Sequence, residues 1–302
     1  MLHHVYYISP RKMVVTQEEI ERFQEDGAIL LKQVLTPQEV QLLQAGIQKN
    51  LENPSVNAES IALEEGQGAY FNDYCNWRKI PEFREFVFNS AAGEIAAKVM
   101  NSKYAVFFHE HVLNKEPGTE KCTPWHHDQA YYPIDGWNMI SLWIPVDPVP
   151  VQSTLRFVKG SHKWGWYHPR KFATESNYPV AVEPDIDTET DGAGEVGRVY
   201  QDVPHKDIED GKYQILEWEC EPGDVVVFHG KTLHGAGGNA SSSSHRRVLS
   251  TRWVGEGTVF ATRPWQVSPD LEIYETNSSC FIGVPKSKGY KMNSSCSRCP
   301  RI

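Results

Sequence analysis

Thr123-Pro124-Trp125-His126-His127-Asp128-Gln129-Ala130-Tyr131 sets an imidazole and a carboxylate two positions apart. Side chains of an extended strand alternate with period two, so His126 and Asp128 would share one face and His127 the other. One imidazole and one carboxylate from neighbouring positions supply part of a 2-His-1-carboxylate set, which holds iron(II) and leaves coordination positions open. With 12 histidines in 302 residues, a lone His-x-Asp reads first as a solvated strand end. The metal reading needs a second histidine, distant in sequence, and a ligand for the open positions.

Both are present. Pro222-Gly223-Asp224 is a turn signal, residues 225–228 are a short apolar run of buried-strand type, and His229 and His234 follow, the second opening a Gly-rich loop. Arg246-Arg247-Val248-Leu249-Ser250-Thr251-Arg252-Trp253 then reads as a strand entered through basic residues. A buried arginine suits bidentate capture of a carboxylate, so metal ligands followed by an arginine would serve an oxo-acid that chelates the metal.

These motifs, together with Thr16-Gln17-Glu18-Glu19, Asp26-Gly27, Lys115-Glu116-Pro117-Gly118, Ser141-Leu142-Trp143-Ile144-Pro145-Val146-Asp147 and Phe157-Val158-Lys159-Gly160-Ser161-His162-Lys163, occur in an order and spacing more specific than any one of them. From about residue 15 to about 269 the chain resembles the phytanoyl-CoA dioxygenase family of iron(II)- and 2-oxoglutarate-dependent oxygenases. The resemblance implies His126, Asp128 and His234 as metal ligands and Arg246 as the anchor for the far carboxylate of 2-oxoglutarate. Ser250, on the face of Arg246, would add a hydrogen bond, and Asn114 matches a position where relatives place a polar side chain on the co-substrate. The implied cofactors are Fe(II), with 2-oxoglutarate and O2 as co-substrates, yielding succinate and CO2 while a C–H bond of a small molecule is oxidised. Hydroxylation is the default outcome; desaturation, oxidative cyclisation or epimerisation could use the same site. Halogenating relatives replace the carboxylate by a small residue, so Asp128 argues against halogenation. A cupin-like metal hydrolase or isomerase would have no use for Arg246, and a silent binding protein would usually have lost a ligand.

Other residues near these motifs carry two readings each. If Asn114 faces inward so does Glu110, which could recognise a substrate amine or form a salt-bridged rim, and His109 and His111 would then face the other side. Trp125 and Tyr131 flank the metal motif and could shape the substrate pocket or only pack. His229 reads as a spectator at a strand end. Arg252 shares the face of Arg246 but stands about six residues along it, beyond reach of the same carboxylate at ~3.3 Å per residue. Arg247 should point away.

Composition sets the bounds. A net charge of −9 argues against nucleic acid as a partner, since phosphate binding needs clustered cations. No run approaches the ~20 apolar residues of a membrane span, and the start lacks the pattern of a signal peptide. Six scattered cysteines suggest reduced thiols and a cytoplasmic location. No obligatory protein partner is evident, and no basic patch for coenzyme A.

Along the chain, Thr16 with Glu19 is a capping box that starts a helix near Gln17 and ends before Gly27. A strand over residues 28–34 follows, then a second capped helix from Pro37 with Val40, Leu43, Ile47 and Leu51 on one stripe. Residues 53–68 read as a loop, and helices are expected over 81–88 and 91–100, the latter capped by Ser90. From residue 104 the pattern becomes short strands between turns, expected over 104–113, 140–146, 154–158, 214–217, 224–228, 248–254 and 258–260. The expectation is a mainly β, α+β chain: a double-stranded β-helix (jelly roll, cupin-like) braced by N-terminal helices. It divides into a helical support region (15–103), a jelly-roll core (104–269) with a lid-like insert (164–212), and a mobile tail (270–302) whose Cys296 and Cys299 lack a partner pair for zinc.

Overall fold

A computed structural model describes residues 15–180 and 198–269, so the expected tail and the centre of the insert lie outside the described residues. In chain order the elements are α1 (Gln17–Asp26), β1 (Ala28–Leu31), α2 (Pro37–Glu52), β2 (Glu59–Ile61), β3 (Tyr70–Tyr74), α3 (Pro81–Asn89) and α4 (Ala92–Val99). Then come β4 (Val106–Lys115), β5 (Thr123–His126), β6 (Ile134–Asp135), β7 (Met139–Pro145), β8 (Leu155–Val158), β9 (Trp166–Tyr167) and β10 (Tyr200–Gln201). The last are α5 (His205–Glu209), β11 (Ile215–Glu217), β12 (Val225–His229), β13 (His234–Ala236), β14 (Arg246–Val254) and β15 (Val259–Phe260).

The helix starts follow their local chemistry. Thr16 and Thr36 each accept from the backbone three residues on, and Glu19 and Glu39 reach back to the cap N–H, so both capping boxes close as expected. Gly27 ends α1 at φ +83°, in the left-handed region. Ser90 closes α3 rather than opening α4; its hydroxyl still accepts from the Ala92 N–H at 3.2 Å. The expected loop at 53–68 contains β2, which is recruited to the edge of a sheet by β3.

Two antiparallel sheets build the jelly roll: a seven-stranded sheet in the order β1-β12-β7-β14-β4-β3-β2, and a four-stranded sheet in the order β11-β8-β13-β5. Alternation along the central strands divides their side chains between two cores. Leu142 and Ile144 of β7, Val225 and Val227 of β12 and Leu249 of β14 meet α2, α3 and α4 through Leu43, Ile47, Phe83 and Ile95. Each such side chain contributes roughly 1.5–3 kcal/mol by burial, which makes the helical layer part of the sheet's stability. The opposite faces, with Trp143, Val226, Phe228 and Val248, meet Leu155 and Phe157 of β8 and Ala236 of β13 between the sheets. The site lies at the open end of that second interior.

Candidate iron and co-substrate site

The metal motif straddles a strand and a turn. β5 ends at His126, and Asp128 opens a single 3-10 turn over Asp128–Tyr131, so the two ligands do not share one strand as their spacing suggested. The turn is pinned from three directions: Gln129 N–H donates to Gly230 O at 2.8 Å, Ser268 N–H to Tyr131 O at 2.9 Å, and Trp265 Nε1–H to Ala130 O at 3.0 Å.

His234 is the antiparallel cross-strand partner of His126. Partners on one sheet face stand side by side, and the two imidazole centroids lie 4.2 Å apart. β13 must approach β5 closely to do this. A Cβ on Gly235 would stand 3.0 Å from Thr123 O and 3.3 Å from the Trp125 ring, so only glycine follows the second histidine comfortably.

Within the cluster, Asp128 Oδ1 lies 3.5 Å from His126 Nε2 and 3.6 Å from His234 Nε2. One ligand atom from each of the three residues falls within 4.8 Å of the others, and all three side chains are buried. The tautomers are set from behind: His126 Nδ1 lies 2.7 Å from Pro124 O and His234 Nδ1 2.9 Å from Thr232 O. A carbonyl can only accept, so each Nδ1 carries the proton and each Nε2 turns a lone pair to the cluster. The outer carboxylate oxygen is occupied as well, accepting from Ser141 Oγ–H at 2.7 Å and facing Arg252 Nη2 at 3.4 Å. Burial alone would raise the Asp128 carboxyl, but Arg252 and the two histidines outweigh it and hold it well below its ordinary value. Burial pushes His234 down to about 3, so it stays a neutral ligand. Two imidazoles and one committed carboxylate form an open three-ligand set of the facial type.

Arg246, Ser250 and Arg252 all line the cavity that the triad opens into, a space of about 520 Å³. Arg246 is 3% exposed, stacks its guanidinium over Trp143 at 5.6 Å and donates from Nη1 to Ser153 O at 3.1 Å. Its Nε and the Ser250 hydroxyl have no hydrogen-bond partner among the described residues, and no carboxylate there pairs with Arg246. Directly across the strand pair stands Lys115, also fully buried, with its ammonium donating to Gly237 O and facing the Tyr70 ring at 5.2 Å. Burial first, and the charge of Arg246 second, push Lys115 well below its ordinary value. A buried guanidinium with no acid beside it among the described residues asks for an anion.

Several sequence expectations change register here. Leu113, His111 and His109 of β4 line the cavity, whereas Glu110 and Asn114 turn to the other face. Glu110 accepts from the backbone N–H groups of Asn76 and Trp77, and Asn114 Oδ1 lies 3.1 Å from His245 Nδ1. The shift follows from pairing: Arg246 is opposite Lys115 and Ser250 opposite His111, so the odd residues of β4 share the face of the even residues of β14. Tyr131 lines the cavity, its hydroxyl donating to Arg170 O at 2.7 Å. Trp125 lies outside the cavity, packed toward Leu233 and Val158 with Arg156 over its ring at 5.8 Å. Arg247 pairs with Asp147 at 2.7 Å, away from the site. His229 stands apart from the triad, beside Trp137 and His162. Sequence reasoning missed three participants: Arg252, which reaches the metal carboxylate instead of the far anchor; Lys115; and Ser153, whose carbonyl steadies Arg246. Period two along β14 already put Arg252 on the face of Arg246. Residues 170–173 and 178–179 of the insert also line the cavity.

A sequence model of the phytanoyl-CoA dioxygenase (PhyH) family matches residues 23–248. The multifunctional dioxygenase prhA of Penicillium brasilianum is 24% identical over 76% of this chain and 68% of its own length. The ectoine dioxygenase of Stutzerimonas stutzeri is 23% identical over 81% and 79%. Among solved structures, the non-haem alpha-ketoglutarate-dependent carbocyclase SnoK from nogalamycin biosynthesis superposes with a TM-score of 0.64 at 21% identity, covering 90% of this chain and 93% of that one. EctD from S. alaskensis gives 0.62 at 13% identity, covering 84% and 82%. With three quarters of its length matched by one family model and the facial triad in place, the chain belongs to the phytanoyl-CoA dioxygenase family of non-haem iron, 2-oxoglutarate-dependent oxygenases.

Proposed function

We propose that this protein hydroxylates an unactivated C–H bond of a small molecule, consuming 2-oxoglutarate and O2 and releasing succinate and CO2. The observation that carries the reading is the sharing of one cavity by an open His126–Asp128–His234 set and a buried arginine that has no counter-ion among the described residues. A hydrolytic or isomerising metal centre gives no account of that arginine. Iron bound by the triad would couple decarboxylation of 2-oxoglutarate to C–H oxidation.

The chain's own residues do the rest. His126, Asp128 and His234 hold the metal through two Nε2 atoms and Oδ1, while Ser141 and Arg252 keep the second oxygen of Asp128 occupied. Arg246 and Ser250 offer the distal carboxylate donors that have no partner among the described residues, and Lys115 stands across the strand pair from Arg246. Tyr131, Phe172 and Tyr178 close the cavity with rings and exclude water from the reacting carbon. Ring closure or desaturation would use the same residues and would be told apart by product analysis. No described helix is long and apolar enough to cross a membrane. Cys122 and Cys220 are free thiols, which supports a reducing compartment such as the cytoplasm.

The test is an anaerobic titration of apo-protein with iron(II) and then 2-oxoglutarate. A visible charge-transfer band, lost in His126→Ala and weakened in Arg246→Ala, supports the proposal. Binding of both without a band, or tight zinc binding with indifference to 2-oxoglutarate, overturns it.

A further inference from the structure

The metal and the carboxylate anchor leave one wall of the cavity without a role. It is built by Glu59 of β2, Asn72 and Tyr74 of β3, and His109 and His111 of β4. His111 Nε2 lies 3.2 Å from Asn72 Oδ1, and Asn72 Nδ2–H donates to Glu59 Oε2 at 3.5 Å. This chain of contacts has one sensible polarity. Turning the amide over would set its oxygen against the Glu59 carboxylate, two acceptors with no proton between them. Glu59 therefore orients the amide, and the amide oxygen requires the proton of His111 on Nε2. The other ring nitrogen, Nδ1, is left as a lone pair on a cavity-lining ring.

Two residues along the same face, His109 is 2% exposed and its Nδ1 has no hydrogen-bond partner among the described residues. It stands opposite Arg252 in the strand pair, its ring edge-on to Tyr132 at 5.0 Å. Burial, with Arg252 as the next cause, pushes both imidazoles below their ordinary value, so neither presents a cation. The neighbouring surface is aromatic: Tyr74 meets His111 edge-on at 5.4 Å, and Tyr131, Phe172 and Tyr178 continue the wall. Of the cations that also line the cavity, Arg170 is spent on Glu175 O and His205, and Lys171 sits exposed at the rim.

We propose that this wall reads a hydroxyl group on an otherwise apolar substrate, with His111 Nδ1 accepting the hydroxyl proton and the aromatic rings covering the carbon frame. The polarity of the Glu59–Asn72–His111 chain selects donors, and a carboxylate or phosphate placed there would meet lone pairs and the Glu59 charge. The substrate class is therefore an uncharged alcohol whose carbon frame is apolar enough to be covered by these rings. This assignment rests on the oxygenase reading.

The experiment uses protein loaded anaerobically with iron(II) and 2-oxoglutarate, whose charge-transfer band shows that the site is built. Three matched probes are titrated in: decahydro-2-naphthol, its methyl ether, and the corresponding carboxylate. Affinity is read from the perturbation of the band and the rise in melting temperature. One buried hydrogen bond to the hydroxyl predicts that the alcohol binds about tenfold tighter than either analogue. His111→Phe, which keeps a ring but removes the acceptor, should retain the band and lose the preference. Asn72→Leu, which leaves the imidazole but frees its tautomer, should reduce it part-way. Equal affinity for the three probes, no binding of any, tighter binding of the carboxylate, or a preference that survives in His111→Phe overturns the proposal. Absence of the band in the wild type would instead remove the oxygenase reading beneath it.

Discussion

Replacing Arg246 by methionine separates what the arginine costs the fold from what it contributes to binding. The guanidinium is 3% exposed, makes one hydrogen bond to Ser153 O, and faces no carboxylate among the described residues. Burial draws it down from 12.5 to about 10. At roughly 1.4 kcal/mol per unit, that drop corresponds to about 3 kcal/mol lost by holding the charge in place. The folded form has the lower value, so the loss applies at every pH below about 10, including neutrality. Methionine fills comparable length without charge but leaves the Ser153 carbonyl short of a donor, which costs about 1 kcal/mol. The net is a stabilisation of about 2 kcal/mol, or roughly 4 °C in melting temperature for a chain of this size. Binding moves the other way, because losing one partner of a buried charge pair costs about 3–5 kcal/mol and should weaken 2-oxoglutarate by about 10²- to 10³-fold. Differential scanning fluorimetry of iron(II)-loaded protein under anaerobic conditions, with and without 2-oxoglutarate, reads both effects. The variant should melt higher alone and show almost no further rise on adding the co-substrate. A variant that melts lower than wild type, yet still gains stability from 2-oxoglutarate, would refute the reasoning.

Asp128→Ala should abolish stoichiometric iron binding, measured by elemental analysis after desalting, and should melt lower because Arg252 then lacks its carboxylate. Ser141→Ala removes the 2.7 Å hydrogen bond to the outer oxygen of Asp128 and should weaken iron by about 10- to 100-fold, with 2-oxoglutarate affinity of the saturated enzyme little changed; an unaltered iron titration would count against the positioning role. Glu110 is raised from 4.5 to about 8 by burial, only partly offset by the N–H groups of Asn76 and Trp77, so the folded state holds its proton more tightly than the unfolded one. Stability should fall as pH rises from about 4.5 to 8, and Glu110→Gln should flatten that slope and melt higher than wild type at pH 8.5; parallel pH profiles for the two proteins would exclude it.

How much was legible in the chain depended on whether a residue's surroundings were local. Both capping boxes were readable because all their atoms come from four consecutive residues, and the apolar runs of β7, β12 and β14 marked strands buried on both faces. The triad and Arg246 were readable through the order of motifs, and Ser250 through period two from Arg246. β4 was not, because both of its faces carry polar residues: His109 and His111 toward the cavity, Glu110 and Asn114 away from it. Apolar alternation is what ordinarily assigns a face, and here there is none to read. The register shift in the β14–β4 pairing beside Arg252 and Trp253 sets Phe108 and His109 consecutively on the cavity side, which no strict alternation could forecast. Glu110 is buried for a reason distant in sequence, the unpaired N–H groups ahead of α3. β2 likewise owes its pairing to β3, not to its own polar residues.

The cations of the cavity divide by what they already hold. Arg252 is committed: it faces Asp128 Oδ2 at 3.4 Å, meets the Tyr132 hydroxyl at 3.0 Å and donates to Ser250 O at 2.9 Å. Removing it would leave the outer oxygen of Asp128 to the Ser141 hydroxyl. Arg246 is uncommitted, with Lys115 across the strand pair and no acid facing it among the described residues. Because both arginines stand on the same face of β14, a single strand supplies one cation that shapes the metal ligand and another that waits for an anion. The ~20 Å between them at ~3.3 Å per residue is shortened by side chains converging on one cavity. A dicarboxylate spanning from the triad to Arg246 relieves the second charge without disturbing the first. Monocarboxylates that reach only the metal leave Arg246 buried and unpaired, and should therefore bind more weakly by about the same 10²- to 10³-fold expected for the arginine's removal. On the proposed reading, co-substrate length would be selected by the strand whose Arg252 also faces the carboxylate of Asp128.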